Sequence, residues 1–99
     1  MEIIKELNGT TLTLKIVGRL DASNANELTS EINASLGGVT ELIFDFSELK
    51  YIASAGLRAL LMAQKKMNKQ GKMVIRHVDE TVMEVLEMTG FDALMTIEP

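Results

Sequence analysis

Two short apolar runs, Leu42-Ile43-Phe44-Asp45-Phe46 and Met73-Val74-Ile75, set the narrowest limits on what this chain can fold into. Each has the length of a strand and lacks the polar alternation of a strand with one wet face, so each suits a strand buried on both faces. Helical periodicity lies before, between and after them. Strands alternating with helices imply parallel pairing through right-handed crossovers.

Upstream, Leu12, Leu14 and Ile16 alternate with Thr11, Thr13 and Lys15, the signature of a half-buried strand, and Asn8-Gly9 marks a tight turn closing a hairpin from Ile3 to Val17. Ala25, Leu28, Ile32 and Leu36 form a helical stripe over about Ala22 to Leu36. Asp21, Ser23 or Asn24 can cap its start, and Gly37-Gly38 ends it. Ser47 to Ala53 reads as a connection, followed by a second helix from Ser54 to Gln70 with Gly71 as its stop. Asp79 can cap a third helix, with Val82, Val85, Leu86 and Thr89 on one face and Gly90 at its end. Ala93 to Ile97 adds a last strand. The expected fold is one α/β domain over residues 1–99: a mixed sheet with an N-terminal β-hairpin and parallel βαβ crossovers packed by about three helices.

Composition narrows the chemistry. There is no cysteine, so disulfides, thiolate catalysis and thiolate metal sites are excluded. No run approaches the ~20 apolar residues of a membrane span, and the charged N-terminus Met1-Glu2-Ile3-Ile4-Lys5-Glu6 is not a signal peptide. A cytoplasmic location is expected. Fourteen acids against ten bases give a net charge of −4, which argues against direct nucleic-acid binding. His77 is the only histidine, and neither a nucleophile elbow nor a glycine-rich phosphate loop is present. Asp79-Glu80 suits a helix first turn better than acid–base work. The methionines read as core filler, with Met62 and Met67 offering an adaptable contact surface. Neither an enzyme nor a cofactor is expected.

The acids are unevenly placed. All fourteen lie outside the tract from Leu49 to Val78, which holds Lys50, Arg58, Lys65, Lys66, Lys69, Lys72 and Arg76. Within it, Ala53, Ala55 and Gly56 leave Ser54 reachable at a helix start. One reading makes Ser54 an ordinary N-cap, contributing about 1 kcal/mol, although Leu57 stands where a capping box needs Glu or Gln. The other makes it a phosphate-accepting switch, because a helix N-terminus favours negative charge and a phosphoserine adds about −1.5 to −2 charges. Arg58, one turn on, is placed to meet that phosphate.

Gly18-Arg19-Leu20-Asp21, the Asp45-Phe46-Ser47 strand end, Ser54-Ala55-Gly56-Leu57, Gly71-Lys72-Met73-Val74 and Met88-Thr89-Gly90-Phe91 together resemble the STAS-domain family, and within it the bacterial anti-sigma-factor antagonists. The resemblance implies partner switching. The unmodified antagonist binds an anti-sigma factor that is also a serine kinase and thereby frees a sigma factor; phosphorylation releases it, and a PP2C-type phosphatase restores it. It implies that Ser54 is the phosphoacceptor and that Asp21 lies near it and the kinase contact. Gly56 and Leu57 shape the helix start, and Ala53, Ala55 and Arg58 belong to the same partner-binding stretch. Many members carry Asp or Ser where this chain has Ala53, which removes an adjacent charge and a kinase contact. The family also admits a constitutive interaction or scaffold module, such as a lipid-transporter accessory subunit, without phosphorylation control.

Overall fold

A computed structural model describes residues 1–98. The hairpin strands are β1 (Glu2–Asn8) and β2 (Thr11–Leu20), followed by α1 (Ala25–Ser35), β3 (Glu41–Asp45), β4 (Leu49–Ile52) and α2 (Ser54–Met67). Then come β5 (Lys72–Arg76), α3 (Glu80–Met88), a 3₁₀ turn (Phe91–Ala93) and β6 (Thr96–Glu98). The α/β class and the three helices are as expected. The hairpin turn lies one residue later than Asn8-Gly9: Asn8 pairs with Thr11, so Gly9 and Thr10 are its centre. Only Gly9 has positive φ, 65°, as the first central position of a II′-type turn needs.

The sheet runs β1-β2-β3-β5-β6, antiparallel at β1–β2 and parallel elsewhere. From β2 to β6 the order advances in one direction, and right-handed crossovers in one direction place all three helices on one face. The core agrees: Leu12, Leu14, Leu42, Phe44, Met73 and Ile75 pack with Leu28, Ile32, Leu60, Val82 and Leu86 in a single cluster. Ile43 and Val74 are buried outside it. They sit side by side in register between Thr13 and Thr96. The ion pairs Lys72–Glu41 (3.5 Å) and Arg76–Glu98 (2.8 Å) flank them, so aliphatic stems of charged residues do there what helices do on the other face.

The main correction falls on Ser47–Ala53, which is not simply a connection. Asp45 turns the chain by accepting from the Ser47 amide (2.9 Å). Leu49–Ile52 then becomes β4, which pairs with Gly18–Leu20 where β3 has left off at Lys15. The ends of other elements shift by a few residues: α1 begins at Ala25 rather than Ala22, α2 ends at Met67 rather than Gln70, and β6 begins at Thr96 rather than Ala93. Asn24 flanks α1 without capping it through its side chain. Asp79 does cap α3, accepting from the Val82 amide at 2.8 Å. Met67 is fully buried and offers no contact surface, whereas Met62 is half-buried.

Candidate functional site

β2 and β4 end level with one another at the carboxyl edge of the sheet, Leu20 paired with Ile52 and the Ala53 amide donating to the Leu20 carbonyl at 2.9 Å. The next residue on β2 is Asp21, and the first residue of α2 is Ser54. The β2–β4 pairing therefore brings these two distant residues to one edge.

The Asp21 side is a tight knot of hydrogen bonds. Its Oδ1 accepts from the Ser23 hydroxyl (2.6 Å) and the Ser23 amide (3.0 Å). Asn24 Oδ1 accepts from the Asp21 amide (2.9 Å), and Asn24 Nδ2 donates to the Arg19 carbonyl (2.8 Å). Arg19 approaches the Asp21 carboxylate at 4.0 Å and lies 4.2 Å over the Tyr51 ring, a cation–π contact across β2 and β4. The Ser23 hydroxyl, then its amide, hold the Asp21 carboxyl below the usual carboxylate range, with Arg19 adding to the effect. Asp21 thus carries full negative charge at neutral pH.

A depressed folded value means that the unfolded chain binds more protons between the two values. The stability Asp21 supplies is therefore complete above its unfolded pKa of about 3.9 and is lost as pH falls through the folded value. In an NMR titration Asp21 is expected to titrate below that reference. Ser23→Ala, which leaves only the backbone donor, is expected to move it upward; an unmoved value would show that the hydroxyl does not set it.

Ser54 is not the N-cap. That position is Ala53, which has no side chain to cap with, and its carbonyl accepts from the Gly56 (2.9 Å) and Leu57 (3.1 Å) amides. Ser54 is the first helical residue and is exposed, and among the described residues its hydroxyl has no hydrogen-bond partner. The first turn of α2 contains no acid, so the positive end of the helix dipole there is uncompensated. Ala55 is half-buried, while Gly56 and Leu57 are buried. A Cβ on Gly56 would lie 2.7 Å from Leu20 Cγ and 2.9 Å from Ile52 Cγ1. That glycine lets α2 sit down on the ends of β2 and β4 and holds Ser54 at the edge.

Beside Ser54, a groove of about 300 Å³ runs between α1 and α2, walled by Ala22, Ala25, Ala55 and Ala59 with Asn26 and Arg58 at its rim. Arg58 and Met62 continue it into a second groove of about 400 Å³ along α2, where Leu61 and Met62 are bordered by Arg58, Lys65, Lys66 and Lys69. Half-buried Asp21 and exposed Ser54 and Arg58 thus lie on one end of the molecule, with Gly56 and Leu57 beneath as support.

The STAS-domain family model matches residues 2–99. The chain belongs to the STAS-domain family. A Bordetella bronchiseptica protein, BtrV, named as an anti-sigma factor antagonist, is 33% identical over 82 residues, 81% of this chain and 71% of that protein. The crystal structure of an anti-sigma factor antagonist from Mycobacterium paratuberculosis superposes with a TM-score of 0.90 at 20% identity, covering 99% of this chain and 85% of that one. The Bacillus cell-fate determinant SpoIIAA in its phosphorylated form superposes with a TM-score of 0.77 at 20% identity, covering 99% and 92%.

Within this STAS domain, the sequence reading gave Arg19, Asn24 and Tyr51 no role in the site, naming Asn24 only as a candidate helix cap. Arg19 and Tyr51 meet only because β4 is a strand with a register shift between Gly18 and Arg19, and a segment read as a loop has no cross-strand neighbours. Asn24 carried a usable signal, since Asn near a helix start commonly bonds backbone groups. Among the described residues, no helix is long and apolar enough to cross a membrane.

Proposed function

We propose that this STAS domain is an anti-sigma factor antagonist that works by partner switching, with Ser54 as its phosphoacceptor. The observation that carries this reading is the exposed Ser54 hydroxyl, unpartnered among the described residues, at the acid-free start of α2, in a chain related to BtrV. In the unmodified state, the end of the molecule carrying Asp21, Ala53, Ser54, Ala55 and Arg58 binds an anti-sigma factor that is also a serine kinase. A sigma factor is then free to direct transcription in the cytoplasm.

The kinase switches this state off. Ser54 Oγ attacks the γ-phosphorus of ATP, the new O–P bond forms as the bond to the ADP oxygen breaks, and the hydroxyl proton passes to a base on the kinase. The chain is the substrate of that step. A PP2C-type phosphatase returns it by hydrolysis. The phosphate, with about −1.5 to −2 charges, sits where the α2 dipole and Arg58 favour it, so it is held without unfolding the domain, while the contact surface changes sign. Gly56 and Leu57 act from below by fixing the helix start.

Incubation with ATP and the serine kinase purified as its binding partner is expected to add one phosphate to this chain and none to Ser54→Ala. Modification of the alanine variant to the wild-type level would assign the phosphate to another residue and overturn the site.

A further inference from the structure

The cations of this chain fall into two groups. Lys5, Lys15, Arg19, Lys72 and Arg76 each lie within 4.0 Å of an acid of the same chain. Apart from Lys50, the rest are Arg58, Lys65, Lys66 and Lys69, which have no ion pair among the described residues and border a single groove with Leu61 and Met62 on its walls. Lysines late in a helix do complement its dipole, but that accounts neither for the apolar walls nor for the lack of any acid among the residues lining the groove.

The opposite pattern stands elsewhere on the surface. α3 and the 3₁₀ turn carry exposed Glu80, Glu84, Glu87 and Asp92, none of them in an ion pair among the described residues. On the same two elements, Met88 at the end of α3 is 79% exposed, and Leu94, directly after the 3₁₀ turn, is 57% exposed. α3 packs on β4 and on the 3₁₀ turn, so it does not fill the groove on α2 of its own chain. One surface is an apolar groove rimmed by cations, and the other is a pair of apolar side chains with acids on the same elements.

We propose that the two surfaces meet between copies: the α2 groove of one molecule takes Met88 and Leu94 of the next, with Glu80, Glu84, Glu87 and Asp92 facing Arg58, Lys65, Lys66 and Lys69. Apolar area leaves water on both sides, and each charge set faces its opposite, which gives the contact both direction and register. The association is heterologous. Each molecule keeps a free groove at one end and a free α3 surface at the other, so copies add head to tail into a ring or an open string. Charge complementarity makes it salt-dependent, because the Debye length shrinks from ~10 Å at 0.1 M to ~3 Å at 1 M.

The test uses the unmodified full chain alone, so it does not depend on Ser54 being a phosphoacceptor. In sedimentation velocity at low ionic strength, the weight-average mass is expected to rise with concentration, and to return to the monomer in 1 M salt. Lys65→Glu/Lys66→Glu/Lys69→Glu and, separately, Glu80→Lys/Glu84→Lys/Glu87→Lys are each expected to weaken self-association at least tenfold. All six positions are exposed, so both variants should keep the wild-type circular dichroism. Mixing them is expected to restore association, because the intact cationic groove of one faces the intact acidic surface of the other. A monomer at every concentration in low salt would overturn the proposal. So would a mixture that stays monomeric, or a monomeric chain whose groove instead binds a synthetic acidic peptide.

Discussion

Gly71→Ala is expected to cost about 2–4 kcal/mol of folding stability. A Cβ at this position would lie 1.9 Å from the Thr40 carbonyl oxygen and 2.6 Å from its carbon. Both are backbone atoms, and Thr40 is strapped on each side: its carbonyl accepts from the Lys72 amide at 3.0 Å, and its own amide donates to Thr10 at 2.9 Å. Relief therefore means moving the starts of β3 and β5, which are in register at Glu41 and Lys72. Overpacking of this kind costs about 1–3 kcal/mol, and loss of the Lys72–Thr40 bond adds about 0.5–1.5 kcal/mol. In a domain of this size that corresponds to a Tm lower by roughly 10 to 30 °C. Gly37→Ala is the control, since a Cβ there meets nothing within 4 Å. Calorimetry that finds both variants within a few degrees of wild type would show that the Gly71 approach is not the constraint described.

Ser54→Asp is expected to weaken binding to the purified anti-sigma factor at least 30-fold. A carboxylate desolvated at a contact with no partner on the anti-sigma factor costs about 2–5 kcal/mol, and each 1.4 kcal/mol is tenfold in Kd. The same substitution puts a negative charge at the first position of an acid-free helix start, which stabilises the folded state by about 0.3–1 kcal/mol. The two effects have opposite signs. Lost binding together with an unchanged or raised Tm separates a switch from simple unfolding, and Ser54→Asn, uncharged and of similar size, should keep most of the affinity. An aspartate variant that binds like wild type would remove the electrostatic basis of the switch.

Much of this architecture is local and so legible in the residues. Leu12, Leu14 and Ile16 alternate and are buried; Ala25, Leu28, Ile32 and Leu36 repeat at helical spacing and are buried. Asp79 precedes a helix and caps it. Such patterns are periodicities of one segment, which a chain expresses whatever its neighbours do. What failed depended on neighbours. Leu49–Ile52 has too few residues to announce a strand, and it becomes one only because β2 extends past the end of β3 and offers it a free edge. Gly71 looks like a helix stop, yet its backbone is needed clear for Thr40, thirty-one positions earlier in the chain.

The candidate site divides the same way. Ser54, Asp21 and Arg58 were visible from residue type and from resemblance to the STAS family. The resemblance also implied that Asp21 lies near Ser54, but the β2–β4 pairing that brings them to one edge was not visible, nor was the Arg19–Tyr51 contact beside them. The sequence alone established the α/β class, the absence of thiol chemistry and a tract from Leu49 to Val78 without a single acid. Only the tertiary structure decided that four cations of that tract have no ion pair among the described residues and border one groove, while Lys72 and Arg76, equally part of it, are neutralised by Glu41 and Glu98. The reason is physical: composition counts charges, but whether a charge is free depends on which acid the fold brings within a few ångströms of it.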